Sequence, residues 1–185
     1  MEVKVKVVFL DRDGVINKYP GDKNYVTKWS EFKFIPGSIE GIRKLNSCGF
    51  KLVLISNQAG VGKGLYSQKA LDVMTKKMLN QLKKAKAGLD RIYYCTHSPV
   101  DNCDCRKPKT ALLKKAIASL GQAPSEMYFI GDSFLDMETA INFSAKPILV
   151  LSGREKIVNR PDWKFEPDYI FDNLLVAANY LCNLL

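Results

Sequence analysis

Lys6-Val7-Val8-Phe9-Leu10-Asp11-Arg12-Asp13-Gly14 is the stretch on which the fold turns. After the lysine it is an apolar, β-prone run, the pattern of a strand covered on both faces, and it breaks at once into two acids and a glycine. Further short runs of this kind lie at 51–55, 91–95, 127–130, 147–151 and 169–171. Between them, residues 38–48, 67–87, 110–120, 134–143 and 174–181 carry helical spacing. Leu71, Met74, Met78 and Leu82 repeat at intervals of three and four, so these methionines form a core stripe rather than a cofactor site. Strand–helix alternation predicts an α/β chain: a three-layer, Rossmann-like domain with a central, mainly parallel sheet. Residues 1–6 alternate charge with valine and read as the start of the first strand, not as a signal peptide.

With no internal repeat and no linker-like segment, the 185 residues are expected to form a single domain, 1–185. No apolar run reaches the roughly 18 residues of a membrane helix, so a cytoplasmic protein without a membrane partner is expected. The formal net charge of +9 suits anionic small substrates as well as nucleic acid. Much of it comes from Lys69, Lys76, Lys77, Lys83, Lys84 and Lys86 on one helix, which reads as a solvated face. The five cysteines are an odd number in a chain without secretion signals, which argues against a disulfide framework, and Cys48 and Cys182 have no legible role.

In open parallel sheets ligands bind beyond the carboxyl ends of the strands. Polar residues gather there: Asp11-Arg12-Asp13-Gly14 after the first strand, Ser56-Asn57-Gln58 after the second, and Gly131-Asp132-Ser133 after the fourth. Asp11 and Asp13, two apart, lean to one side of an extended backbone while Arg12 points away. Carboxylates so close repel unless a cation lies between them, and with Asp132 they make an oxygen-rich site suited to Mg²⁺. Ser56 adds a hydroxyl and Lys107 a positive charge. An anionic nucleophile, an acid, a metal and clamps for oxygens make up the equipment of phosphoryl transfer.

Cys95, His97, Cys103 and Cys105 lie within eleven residues and supply four nitrogen and sulfur ligands, the set of a closed tetrahedral Zn²⁺ site. Four protein ligands leave no position for water, so the expected role is structural. A cysteine-protease reading has just one histidine to draw on and is poor.

Phe9-Leu10-Asp11-Arg12-Asp13-Gly14-Val15, Ile55-Ser56-Asn57-Gln58, Arg106-Lys107-Pro108 and Ile130-Gly131-Asp132-Ser133 with Asp136 resemble the four motifs of the haloacid dehalogenase phosphatases. The resemblance implies that Asp11 is the nucleophile that becomes an aspartyl-phosphate, and that Asp13 is the acid and then the base. It implies that Ser56 and Lys107 hold the phosphoryl group. Mg²⁺ would sit on the Asp11 side chain, the Asp13 backbone carbonyl and Asp132, with Asp136 supporting from behind. The zinc loop, together with Asn24-Tyr25-Val26, Phe32–Gly37 and Asn57–Gly64, resembles the heptose 1,7-bisphosphate phosphatases of this superfamily, and the histidinol-phosphate phosphatases carry a similar loop. Substrate-binding residues implied are Asn24, Tyr25, Ser56, Asn57, Gln58, Ala59, Arg106 and Lys107.

The activity so implied is Mg²⁺-dependent hydrolysis of the C7 phosphate in nucleotide-activated heptose synthesis, on a small phosphorylated sugar, by a monomer without nucleic acid. Neither usual insertion point has room for a large cap domain, so the site is expected to be open, bordered by 17–29, 60–64 and the zinc loop. The alternatives are histidinol-phosphate hydrolysis and, from another class, a zinc-containing nucleic-acid module. The latter lacks interleaved aromatics and a second zinc pair.

Overall fold

The computed structural model describes residues 5–163 and 166–184; residues 1–4, read above as the start of the first strand, lie outside them. The strands are β1 (Lys6–Leu10), β2 (Lys51–Asn57), β3 (Arg91–Cys95), β4 (Glu126–Gly131), β5 (Lys146–Val150) and β6 (Tyr169–Phe171). The helices are α1 (Ser38–Ser47), α2 (Gln68–Lys84), α3 (Ala111–Leu120), α4 (Phe134–Asn142) and α5 (Leu174–Asn183). The strands form one six-stranded sheet in the order β3-β2-β1-β4-β5-β6, and every pairing is parallel. The chain builds outward from β1 in one direction as far as β3, then returns to the other flank through β4. β1 is thus the switch point, where a crevice opens at the strand ends.

The period-two alternation of β1 divides the core. Val8 and Leu10 face the layer of α1, α2 and α5, with Ile42, Leu45, Leu71, Met74, Met78 and Leu82 all buried there. Val7 and Phe9 face α3 and α4, against Leu112, Leu113, Ala116 and Ala140. Both layers exist because the strands are apolar at every position rather than at every second one. Ser67 ends the loop before α2 by accepting a hydrogen bond from Ala70 N, and Asn173 does the same for α5 from Leu175 N and Val176 N. The six lysines named above lie exposed on or just past α2, as a solvated face requires. No helix among the described residues is long and apolar enough to cross a membrane.

One expectation is corrected. Cys48 and Cys182 are not idle thiols; they form a disulfide between the end of α1 and α5. The two lie 134 residues apart in sequence, yet the packing of α1 on α5 brings their Cα atoms to 5.8 Å. That falls inside the range that a disulfide spans. Between β1 and β2 lie one loop with a short 3-10 turn and α1, and between β2 and α3 lie α2, β3 and the cysteine loop. Among the described residues no cap layer covers the strand ends.

Ile42 is fully buried on α1. Ile42→Ala is expected to lower stability by about 2–5 kcal/mol, read from urea unfolding; a loss under about 1 kcal/mol would show that this layer is loosely packed.

Candidate active site

The carboxyl ends of β1, β2 and β4 open into a cavity of about 510 Å³ lined by Asp11, Asp13, Ser56, Asn57, Gln58, Arg106, Lys107 and Asp132, among others. Lys107 is its electrostatic centre. Its ammonium is buried, 2.5 Å from Asp136 Oδ1, 3.2 Å from Ile55 O and 3.0 Å from Asp11 Oδ1. The directed hydrogen bonds go to Asp136 and the carbonyl, so Asp11 Oδ1 has the charge beside it without a hydrogen bond of its own. Asp136 has both oxygens engaged, since Ser133 Oγ donates to Oδ2 at 2.6 Å. Asp136 therefore anchors Lys107 from below.

Carboxylate oxygens of Asp11, Asp132 and Asp136 lie within 4.8 Å of one another. Three buried carboxylates share one ammonium, which leaves two negative charges without a local partner. Burial, reinforced by Asp136 and Asp13 and opposed by Lys107 and Ser56, pushes Asp11 up to about 6. Burial and the charges of Asp136 and Asp11 hold Asp132 well above the ordinary carboxylate range. Burial works against the charge on Lys107, but Asp11 and Asp136 outweigh it and raise its pKa above the usual lysine value. The donor set is all oxygen and the uncompensated charge is that of a divalent cation, so these residues fit Mg²⁺. With Asp136 engaged, Asp11 and Asp132 are the side chains free to hold it.

Asp132 is gripped by backbone. Arg154 N donates to its Oδ2 at 2.8 Å, and a Cβ on either Gly14 or Gly153 would come within 2.0 Å of that same oxygen. Gly14 also has φ +85°, the left-handed turn that releases the chain from β1.

Asp13 faces the cavity, held by three donors: Asn17 Nδ2 at 2.8 Å, Gln58 Nε2 at 2.9 Å and Arg12 at 3.0–3.1 Å. Strand alternation places Arg12 on the far side. Its guanidinium is nonetheless turned back onto the Asp13 carboxylate, buried over the Phe32 ring. The correction has a simple cause: a buried guanidinium needs a counter-charge, and Asp13 is within reach once the chain turns at Gly14. Gln58 also donates to Ser56 Oγ and accepts from Tyr66 Oη, so one amide spans the acid and the hydroxyl.

Asn57 brackets the Lys107 backbone, accepting from its N–H at 3.1 Å and donating to its carbonyl at 3.3 Å. Just before it in sequence stands the cysteine loop. Sulfur–sulfur separations among Cys95, Cys103 and Cys105 are 3.1–3.5 Å, and His97 Nδ1 is 3.2 Å from Cys105 and 3.9 Å from Cys95. A tetrahedron with bonds of about 2.3 Å has edges of about 3.8 Å, so the four atoms cluster at nearly the spacing of a zinc site's corners. The loop is joined to the end of β2 by Gln58 N donating to Cys95 O and Gly62 N donating to Thr96 O.

Asn24 and Tyr25 line the cavity from the loop that follows β1, whereas Ala59 is buried and does not line it. Tyr19 and Asp22 line it from 17–29 and Lys63 from 60–64, the segments expected to border the site, whereas Arg154 lies outside them. Lys63 Nζ donates to Tyr25 Oη at 2.9 Å, and Arg154 Nε lies 3.4 Å from Asp22 Oδ1. Arg154 had a usable signal, because it follows the end of β5, another strand end of the same crevice.

A parallel sheet with an Asp-x-Asp at its switch point, a buried lysine and a third acid defines a phosphoryl-transfer hydrolase. A family model described as HAD-hydrolase-like matches residues 104–177. The chain is 39% identical over 147 residues to the D-glycero-beta-D-manno-heptose-1,7-bisphosphate 7-phosphatase of Helicobacter pylori, covering 79% of this chain and 83% of that one. It is 36% identical over 181 residues to the enzyme of the same name from Pseudomonas putida, covering 96% and 99%. The crystal structure of D,D-heptose 1.7-bisphosphate phosphatase from B. bronchiseptica, complexed with magnesium and phosphate, superposes with a TM-score of 0.90 at 28% identity, over 98% of this chain and 100% of that one. The chain belongs to the haloacid-dehalogenase-like phosphatases, in the branch that holds these relatives.

Gly153→Ala places a methyl group where Asp132 Oδ2 stands. It is expected to lower kcat/KM by about 100-fold through misplacement of that carboxylate, with the far-ultraviolet spectrum retained. Activity within threefold of the parent would show that Asp132 has room to move without consequence.

Proposed function

We propose that the chain is a Mg²⁺-dependent phosphatase acting as a single domain on the C7 phosphate of D-glycero-D-manno-heptose 1,7-bisphosphate, in nucleotide-activated heptose synthesis. The observation that carries the reading is the near-complete superposition on a heptose bisphosphate phosphatase, with Asp11, Asp13, Lys107 and Asp132 gathered in one cavity. The rim of that cavity carries Lys23, Lys63, Arg106 and Arg154, which suits a substrate with a second phosphate.

In this reading Asp11 attacks phosphorus, the bond from phosphorus to the sugar oxygen breaks, and Asp13 gives that oxygen a proton. Water then attacks the aspartyl-phosphate and passes a proton to Asp13, and inorganic phosphate leaves with Asp11 restored. Lys107 and Ser56 take the phosphoryl oxygens. Gln58 keeps Asp13 and Ser56 in one register, and Asn57 holds the backbone from which Lys107 projects. Mg²⁺, held by Asp11, Asp132 and the Asp13 carbonyl, would neutralise charge on the phosphoryl oxygens.

Zn²⁺ on Cys95, His97, Cys103 and Cys105 serves as a positioning device. Cys105 is followed at once by Arg106 and Lys107, so its ligation sets the path of both cations.

Three measurements test the proposal. Asp11→Asn is expected to abolish turnover with the fold intact, because an amide cannot form the acyl phosphate; a tenth of the parent rate would refute the covalent step. Across a panel of phosphate esters, kcat/KM should be highest for the heptose bisphosphate; a higher value for histidinol phosphate would replace the substrate. Stripping zinc and restoring Mg²⁺ in excess is expected to lower activity by about 100-fold while the sheet stays folded. Unchanged kcat and KM in protein shown by metal analysis to be zinc-free would reduce the loop to a surface staple.

A further inference from the structure

Arg154 and Asp22 form the one contact between the loop after β1 and the loop after β5 across the mouth of the cavity for which the described residues show an ion pair. The backbone of Arg154 is rigidly placed. Its N–H is bonded to Asp132 Oδ2, its neighbour Glu155 N donates to Asp132 O at 3.0 Å, and Gly153 has no space for a side chain. Its guanidinium, by contrast, is about half exposed, with a side-chain accessibility of 54%. The base is thus fixed relative to the reacting centre while the head can exchange partners.

The partner it holds is chemically odd for this cavity. Asp22, accessible at 70%, is a carboxylate on the wall of a site proposed to take a doubly phosphorylated sugar. Tyr19 Oη donates to Asp22 Oδ1 at 2.5 Å, which aims the carboxylate at the arginine. The other cations lining the cavity differ. Lys107, at its floor, is spent between Asp11 and Asp136; on the rim Lys63 is bonded to Tyr25, Arg106 has a buried Nη1 with no protein partner, and Lys23 stands on the same loop as Asp22 rather than across from it.

We infer that Arg154 is a distal-phosphate anchor and that Asp22 is its placeholder, displaced when the phosphate remote from the reacting centre enters. The inference rests on the bisphosphate reading above. Magnitudes favour the exchange. An exposed ion pair is a weak interaction, whereas paired, charge-assisted hydrogen bonds between a guanidinium and a phosphate belong to the strong class. A monoester offers no distal anion, so it leaves the pair closed. The loop after β1 is then held over the mouth or released according to whether the second phosphate is present, and Arg154 and Asp22 act on specificity with opposite signs.

The test compares kcat/KM for heptose 1,7-bisphosphate and heptose 7-phosphate, which share the reacting ester and differ in the distal phosphate. Arg154→Gln is expected to lower the bisphosphate-to-monophosphate ratio by about tenfold, mostly through KM. Arg154→Lys, which keeps the charge and loses the fork, should fall between. Asp22→Asn should raise the ratio, by about two- to fivefold, an outcome that loss of folding cannot imitate. If the parent prefers the bisphosphate but all three variants keep its ratio, the assignment of Arg154 and Asp22 is overturned and the substrate reading stands. If the parent shows no preference, the bisphosphate reading falls and this inference falls with it.

Discussion

The ammonium of Lys107, buried between Asp11 and Asp136, is the interaction on which the site depends. Taking an amine out of water costs several kcal/mol, and two carboxylates within 3.0 Å offset that cost. Those carboxylates then bring a deficit of their own, since Asp132 adds a third negative charge to the same pocket. Most features around the centre answer one side of this balance. Ser133 and Arg154 N hold carboxylate oxygens, Asn57 fixes the Lys107 backbone, and two glycines let the chain pass close to Asp132. A divalent cation would complete it.

The fold delivers these groups because the sheet changes direction at β1. Asp11 leaves β1, Ser56 leaves β2 and Asp132 leaves β4, three neighbouring strands whose ends point the same way. Lys107 comes from further off, and the cysteine loop brings it in. That loop has little core of its own beyond Cys95, and its hold on β2 consists of a few backbone hydrogen bonds. A metal tetrad can supply the rigidity that apolar packing does not.

Much of this was legible in the residues. The strands and helices follow from apolar runs bounded by turn chemistry, with ends that moved by up to three residues; at the start of α2 the capping residue Ser67 stands just outside the helix. Asp11, Asp13, Ser56 and Asp132 stood out because each ends or follows an apolar run, and Lys107 because it closes the cysteine loop in an Arg-Lys-Pro motif. The disulfide did not, because nothing local records that α1 and α5 lie side by side, and a single thiol on a helix resembles any small apolar residue. Nor did the return of Arg12 to Asp13, which depends on a turn at Gly14 rather than on strand alternation. The loops of Tyr19, Asp22 and Lys63 were legible as borders of the site but their individual contacts were not, and Arg154 follows a strand end that no motif marked.

The central claim is that two negative charges in the pocket lack a partner until a divalent cation binds. Thermal unfolding of the parent and of Asp132→Asn, each with chelator and with saturating Mg²⁺, measures it directly. In chelator the variant should be the more stable of the two, because it removes one uncompensated charge. Mg²⁺ at about a hundred times its dissociation constant should stabilise the parent by about 2.7 kcal/mol, several degrees in Tm, and the variant by much less. A parent whose Tm ignores Mg²⁺, or a variant less stable than the parent in chelator, would contradict the account.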